Sequence, residues 1–325
     1  MAVLRKMILY LTSYFMRIVD WINIGASRKC RAISQEGVKV EHIRIPSRDN
    51  GRYIRAIRYT PIGETAPLPV HLNWHASGWM LKRLGLDRHM CIKFARELRC
   101  IVLDCDYRKG PENQFPAAHN DTEDAVFYVH ANPKQFDVNR VTVGGSSAGA
   151  CMALSLSARL GEQRVKGCFA MYPVTRLLPV ERIHSSQHAI STTFRSGIVI
   201  SDWAMKVLTL AYFTPKANMN DPRISPLLDE PSRFPKHVLL VCGEADTLYK
   251  GCRDFMVKIT GSEDGTNESK TRTFISIPNE AHEFNNFASV RESVEWRDKV
   301  EDSAIQMIRA CLLYTSPSPR DVEES

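Results

Sequence analysis

The amino-acid sequence predicts an α/β protein with a mostly parallel central sheet that is covered by helices on both faces. Short apolar runs alternate with longer segments of helical character from residue 40 onward, which is typical of such a sheet. The 325 residues suffice for one large domain with an appendage or for two modest domains. With 44% hydrophobic and 24% charged residues, the composition is that of a folded globular protein.

The strands come first in this prediction. Segments 40–48 and 52–61 flank Asp49-Asn50-Gly51, which indicates a hairpin with a tight turn. Six further apolar runs bring the predicted sheet to about eight strands: 69–75, 99–108, 139–147, 167–174, 236–244 and 272–278.

Helical segments separate these runs. Five lie near 86–98, 117–131, 148–162, 250–260 and 289–313. Residues 176–220 form a long insertion between two strands, and this insertion contains the helix-like segment 201–213. Because ligand sites of parallel sheets lie at the carboxyl ends of the strands, we expect the insertion to act as a lid there.

The two ends of the chain differ from this core. Residues 1–35 begin with an apolar run that is broken by Arg17 and Asp20, so it predicts an amphipathic helix rather than a membrane span or a cleaved signal. Packing on its own domain is the first expectation, and contact with a membrane surface is the alternative. The domain itself is expected over 36–313, and residues 314–325 are polar, rich in proline and expected to be a disordered or artefactual tail.

Charge and cysteine content exclude several classes of protein. The formal charge of +7 comes from scattered residues without a basic run, which argues against nucleic-acid binding. The nine cysteines are widely spaced and form neither a C-x-x-C motif nor a Cys/His cluster. We therefore expect no metal or cofactor, and a reducing, cytoplasmic location with membrane association as a variant.

The segment "VTVGGSSAGA" carries the strongest chemical signal, because an apolar strand runs through Gly-x-Ser-x-Gly directly into a helix. Glycines two residues before and after a serine allow the sharp turn that exposes a nucleophile. Gly145 and Gly149 flank Ser147 at that spacing, whereas Ala148 breaks the pattern around Ser146. The motif alone also fits a phosphate loop or a tight turn without chemistry.

A nucleophilic serine requires a base and an acid, in the chain order Ser, acid, His. His282 is the only one of the ten histidines that lies beyond the strand-like run 237–242, and it follows the last strand. Glu244 and Asp246 follow the preceding strand, and either carboxylate could orient an imidazole.

Four segments, taken in order, resemble the hormone-sensitive-lipase group of α/β-hydrolases, which includes arylacetamide deacetylase. They are "HASGW", "DYRKGPENQFPAA", "GGSSAGA", and "DPRISPL" followed by "GEADTL". The resemblance covers about residues 65 to 290. It implies an α/β-hydrolase fold with a helical lid built from residues 1–35 and the insertion 176–220.

The same resemblance implies roles for individual residues. Ser147 would be the nucleophile, Asp246 the acid and His282 the base. The backbone N–H groups of Ser77, Gly78 and Ala148 would form the oxyanion hole. The aromatic residues Trp79, Trp203, Tyr212 and Phe284 are candidates for an apolar pocket, with core packing as the alternative. Arg108 and Glu112 would hold loops near the site.

"HASGW" departs from the family's His-Gly-Gly-Gly loop. Ala76 and Ser77 stand where glycine is usual, and a positive φ at either would cost about 1 to 2 kcal/mol. Trp79 also fits the His-Gly-Gly-x-Trp loop of kynurenine formamidases. A large gain in rate for Ser77→Gly would indicate a strained loop.

The expected function is hydrolysis of carboxylic esters of small, largely apolar molecules through an acyl-enzyme. Amide, formamide or lactone hydrolysis by the same residues is an alternative. A receptor without catalysis is another, since the related gibberellin receptors lack the histidine. The presence of His282 favours the enzyme.

Overall fold

The structure is a computed structural model that describes residues 2–29, 34, 36–183 and 189–313. The segment 314–325, which the sequence predicts to be a tail, lies outside the described residues.

Within these ranges the eight strands of the sheet lie in the order β1-β2-β4-β3-β5-β6-β7-β8. β1 and β2 form the predicted antiparallel hairpin, β2 also pairs antiparallel with β4, and every later pairing is parallel. The mostly parallel sheet is therefore confirmed. The strands are β1 Val38–Pro46, β2 Tyr53–Pro61, β3 Leu68–Trp74, β4 Ile101–Cys105, β5 Phe136–Ser146, β6 Gly167–Met171, β7 His237–Gly243 and β8 Arg272–Ile277.

Helices cover both faces of this sheet, since every residue of β3, β4, β6 and β7 is buried. α2 packs against α8, and α3 packs against α4. The helices are α1 Ala2–Lys29, α2 Arg88–Leu98, α3 Ala117–His130, α4 Ala148–Leu160, α5 Asp202–Tyr212, α6 Tyr249–Thr260, the short α7 Phe284–Phe287 and α8 Arg291–Leu313.

The N-terminal helix α1 packs on α5 of the insertion 176–220. Ser201 begins α5 as its N-cap, and its side chain accepts a hydrogen bond from the N–H of Ala204. Arg17 of α1 is 9% exposed and donates to the carbonyl oxygens of Met80 and Gly110 at 3.1 and 2.6 Å. Among the described residues, no helix is both long enough and apolar enough to cross a membrane.

The candidate site lies where parallel strands end. β3 and β5 are neighbours in register, with Trp74 opposite Gly145. The loop after β3 and the turn after β5 therefore leave the sheet side by side. The loops after β7 and β8, which carry Asp246 and His282, emerge at the same edge.

Candidate active site

Ser147 occupies a strained turn between β5 and α4. Its φ and ψ are 53° and −117°, a backbone conformation that residues with a Cβ rarely adopt. The turn is held because the N–H of Ser147 donates to the carbonyl oxygen of Met171 at 2.9 Å, while the Ser147 carbonyl accepts from the N–H of Cys151 at 2.9 Å. Strain of this kind is characteristic of functional turns.

The two flanking glycines are required by packing. A Cβ at Gly145 or Gly149 would overlap the carbonyl oxygen of Trp74 at the end of β3, far inside van der Waals contact. Both glycines thus allow β5 and α4 to lie directly on the β3 backbone, which places Ser147 beside the loop that follows β3. The sequence rule that selects Ser147 over Ser146 has this steric basis.

Three side chains form one hydrogen-bonded line. The Nε2 of His282 lies 3.0 Å from the Oγ of Ser147, and its Nδ1 lies 2.7 Å from the Oδ2 of Asp246. A carboxylate only accepts, so Nδ1 carries the proton and Nε2 accepts from the serine hydroxyl. The second carboxylate oxygen of Asp246 accepts from the N–H of Leu248 at 2.8 Å. All three side chains are buried.

The insertion holds the histidine loop by backbone contacts. The N–H of Ile198 donates to the His282 carbonyl at 2.8 Å, and the N–H of His282 donates back to Ile198 at 3.1 Å. Gly197, which precedes Ile198, has a φ of 99°, and a Cβ there would overlap the His282 carbonyl. The insertion is therefore joined to the loop that carries the imidazole.

Charges around the imidazole affect its protonation. Burial lowers the pKa of His282, but the Asp246 carboxylate and then Glu283 raise it, and the net effect is an increase. The Tyr172 ring contacts the imidazole edge-on, with 4.7 Å between centroids. Stabilisation of imidazolium in this way suits a base that must hold a proton during a reaction.

The oxyanion loop 75–79 adopts a conformation that the sequence did not predict. The positive φ values fall at Gly78, 53°, and Trp79, 55°, and not at Ala76 or Ser77. The Oη of Tyr107 donates to the His75 carbonyl at 2.7 Å, so its oxygen must accept from the Ser77 hydroxyl at 2.5 Å. The serine that replaces glycine is thus held by its side chain.

The N–H groups of Ser77, Gly78 and Ala148 donate to no other group in the described part of the chain. Ala148 is the first residue of α4, where helical N–H groups have no partner within the helix. Free N–H groups beside a nucleophile are the requirement for binding a developing oxyanion.

The four aromatic pocket candidates differ in burial and in their ring contacts. Trp79 stacks on Tyr212 with 5.7 Å between ring centroids, and both are buried. Phe284 is also buried and packs edge-on against Tyr172, whereas Trp203 is 58% exposed. Among the described residues, no ring contact joins Trp203 or Phe284 to the Trp79–Tyr212 pair.

Arg108 and Glu112 have the kind of structural contacts that the sequence suggested. Arg108 pairs with the buried carboxylate of Asp121. Glu112 accepts two hydrogen bonds from Arg17, at 2.6 and 2.7 Å, and so ties the loop after β4 to α1.

Sequence reasoning missed Tyr107 and the contact between the insertion and the histidine loop. Tyr107 belongs to the "DYR" motif, so its position was noted without its partner. Neither Ile198 nor Gly197 carries a chemical signal in the sequence, since they act through the backbone.

A family model described as "alpha/beta hydrolase fold" matches residues 71–286. The chain belongs to this family, the α/β-hydrolases of the hormone-sensitive-lipase type. The resemblance that the four motifs suggested is therefore confirmed, and with it the fold class.

Two curated relatives are similar to this chain. An AB hydrolase superfamily protein of Schizosaccharomyces pombe is 31% identical over 150 residues, which are 45% of this chain and 43% of the relative. The versiconal hemiacetal acetate esterase of Dothistroma septosporum is 28% identical over 192 residues, 55% of this chain and 57% of the relative. The chain thus spans about half the length of these relatives.

A solved structure supports the fold over nearly the whole chain. A thermophilic carboxylesterase cloned from a metagenomic library superposes with a TM-score of 0.76 and 24% identity, and the match covers 94% of this chain and 98% of that one. At this identity the likeness establishes the shared fold.

Proposed function

We propose that this α/β-hydrolase is a serine esterase that cleaves carboxylic esters of small, largely apolar molecules. The observation that carries the proposal is the buried line from Asp246 through His282 to Ser147, at 2.7 and 3.0 Å. Its order in the chain and its geometry are those that activate a serine hydroxyl.

In the proposed reaction, Ser147 Oγ attacks the ester carbonyl while Nε2 of His282 takes the hydroxyl proton. The imidazolium, stabilised by Asp246, returns that proton to the leaving alcohol, which leaves an acyl group on Ser147. A water molecule then gives a proton to Nε2 and attacks the acyl carbonyl, and Nε2 returns that proton to Ser147 Oγ as the acyl–oxygen bond breaks, so the acid is released and the serine is restored. No cofactor or metal takes part in these steps.

The N–H groups of Ser77, Gly78 and Ala148 are proposed to stabilise the negative oxygen in both halves of the reaction. Their freedom from other partners in the described chain supports this role. The start of α4 adds a positive dipole end at the same place.

The substrate class rests on the lid. Residues 1–35 and 176–220 are proposed to form it, and the packing of α1 on α5 supports this division. The contacting faces of these helices and the oxyanion loop share an apolar cluster that includes Met80, Leu81 and Val207. The Dothistroma septosporum relative is named for an acetate ester, which supports small esters as first substrates to test.

The test compares the hydrolysis of p-nitrophenyl esters with different alkyl and aryl acyl groups with that of N-formylkynurenine and of a lactone. Ser147→Ala should abolish turnover without lowering the Tm, and a fluorophosphonate probe should label the parent protein at Ser147. Ser146→Ala is the matched control, and its labelling should persist. Unchanged turnover by Ser147→Ala would refute the assignment, and absence of labelling with tight small-molecule binding would favour a receptor.

We also propose that α1 contacts an anionic membrane surface. Ten large apolar side chains of α1 are exposed on the described structure: Leu4, Met7, Ile8, Leu11, Tyr14, Phe15, Ile18, Val19, Trp21 and Ile22. Residues 1–32 contain six basic residues and one acidic residue, Asp20, which is paired with Arg83. An apolar face with basic flanks suits the interface of anionic lipids.

Vesicles test this contact. Vesicles with phosphatidylserine should shift the fluorescence of Trp21 to shorter wavelength and sediment the protein, whereas Ile18→Ser/Ile22→Ser should weaken both effects. Equal behaviour with or without vesicles would exclude the contact, and a dimer in solution would assign the face to a second copy. We propose a cytoplasmic location because the eight described cysteines are buried free thiols.

A further inference from the structure

A buried guanidinium lies between the N-terminal helix and the loop of the catalytic histidine. Arg83 follows the oxyanion loop in the sequence, and its side chain is 5% exposed. Its Nη1 lies 2.5 Å from the Oε1 of Glu283, while its Nε lies 3.1 and 3.0 Å from the two carboxylate oxygens of Asp20 in α1. One cation therefore serves two carboxylates from distant parts of the chain.

Glu283 directly follows His282, and its backbone is strained. Its φ and ψ are 59° and 27°, a left-handed conformation that costs a residue with a Cβ about 1 kcal/mol. The Glu283 carbonyl accepts from the N–H of Asn286 at 2.8 Å, so the residue also starts α7. The ion pair with Arg83 fixes the Glu283 side chain and thereby the chain direction just after the imidazole.

The buried Arg83–Glu283 pair positions Glu283 more than it stabilises the fold. Both partners are nearly fully buried, with 5% of each side chain exposed, so desolvation offsets much of their attraction. A buried pair of this kind is useful where one geometry must be selected, and Glu283 sits where a small shift would move the imidazole away from Ser147.

We propose that Arg83 is a positioning residue. Through Asp20 and Glu283 it couples the docking of α1 to the position and the protonation of His282. The inference rests on the proposed function, in which His282 is the base. In this arrangement Asp20 draws part of the Arg83 charge away from Glu283, so the carboxylate beside the imidazole is only partly neutralised.

The electrostatic consequence has a defined sign. The charged and titratable groups that act on the imidazole are Asp246, Glu283 and Arg83, with the Tyr172 phenol in ring contact. The two carboxylates raise the pKa of His282 and Arg83 lowers it. Removal of the negative charge of either Glu283 or Asp20 makes the surroundings more positive, so the imidazole loses its proton at lower pH.

The experiment is the pH profile of kcat/KM for Glu283→Gln and Asp20→Asn. The acid limb, which reports His282 in the free enzyme, should move to lower pH by about half a unit or more in Glu283→Gln. It should move in the same direction by less in Asp20→Asn, where the change acts through Arg83.

Glu112→Gln is the matched control. It removes the charge of the partly exposed Glu112 in the Arg17–Glu112 pair, which also ties α1 to the domain, but leaves the Arg83 network intact. Its acid limb should stay at the parent position even if its Tm falls. Arg83→Lys, which keeps the charge, should retain most of the parent pH profile.

Two failures can be told apart. If the parent hydrolyses esters but the acid limb is the same in Glu283→Gln, Asp20→Asn and Glu112→Gln, the coupling through Arg83 is wrong. If the parent is neither labelled by fluorophosphonate nor active, the proposed function itself is wrong. Should Glu283→Gln fail to fold, Asp20→Asn alone decides. Asp20 lies on α1 and not in the strained turn that follows His282.

Discussion

The candidate nucleophile turn 144–149 and the candidate oxyanion loop 75–79 lie side by side, yet they are held in different ways. In the turn, Gly145 and Gly149 have no room for a side chain, because the β3 backbone occupies that space. In the loop, Gly78 and Trp79 both have positive φ, and the Ser77 hydroxyl is held by Tyr107. The turn is fixed by backbone contact, whereas the loop is fixed by hydrogen bonds between side chains and backbone.

This difference explains why one motif is strict and the other tolerates change. A position that backbone atoms crowd accepts only glycine. A position held by a side-chain hydrogen bond accepts another residue, provided that its partner is also present. Ser77 and Tyr107 form such a pair in this chain.

The largest expected effect is that of Gly149→Ala in the turn. Its new Cβ would overlap the carbonyl oxygen of Trp74, so we expect a loss of esterase activity of more than about 100-fold together with a lower Tm. Gly261→Ala is the control, since Gly261 has a left-handed φ of 71° but no atom within 4 Å of an added Cβ. That variant should lose about 1 kcal/mol of stability and keep its activity. Equal losses in both variants would show that crowding is not the cause.

A smaller effect is expected in the loop for Tyr107→Phe. It leaves the Ser77 hydroxyl without its acceptor and the His75 carbonyl without its donor, so kcat should fall about ten-fold. KM should change little, because oxyanion contacts act mainly in the transition state.

A double-mutant cycle checks this interpretation. Ser77→Ala should lower kcat by less, and the loss in the double variant should be smaller than the sum of the two. Ser77→Gly should also slow the enzyme, since Ser77 does not have positive φ and its replacement relieves no strain. Additive losses, or a faster Ser77→Gly, would contradict the hydrogen-bond account.

The smallest expected effect concerns the polar residues at the base of the loop. Asp104 on β4 is buried, and burial, followed by the charge of Asp87, raises its pKa to about 8. Asn73, at the end of β3, donates to both carboxylates, at 3.0 Å to Asp87 and 3.2 Å to Asp104. The loop is thus supported by the titratable carboxyl group of Asp104, whereas the turn packs on the β3 backbone.

Asp104→Asn should remove a pH-dependent loss of stability. The unfolded carboxyl ionises near pH 4 and the folded one near pH 8, so the parent loses stability between these values and the loss levels off above them. The Tm of Asp104→Asn relative to that of the parent should therefore rise by a few degrees between pH 5 and pH 8. A constant difference across this range would show that Asp104 does not titrate.

The sequence allowed much of this architecture to be predicted. Buried parallel strands are continuous apolar runs, so their positions in the chain were readable to within a few residues, and the glycine spacing selected Ser147. The Ser77–Tyr107 bond and the Asp20–Arg83–Glu283 network were not predictable. They join residues 30 and 200 positions apart, and no local pattern marks such pairs. The placement of Trp203 likewise depends on how the insertion folds, and that of Phe284 on how the loop after β8 folds.

The backbone pairing of Gly197 and Ile198 with His282 has a further consequence for how substrate range can change. The stem of the insertion is attached to the loop of His282, so alterations there should disturb the proposed reaction itself. α5, which begins only after Ser201, lies beyond this attachment and contacts α1 and the oxyanion loop through side chains. Directed evolution of new specificities should therefore accumulate substitutions in α5 while the residues 196–198 stay unchanged.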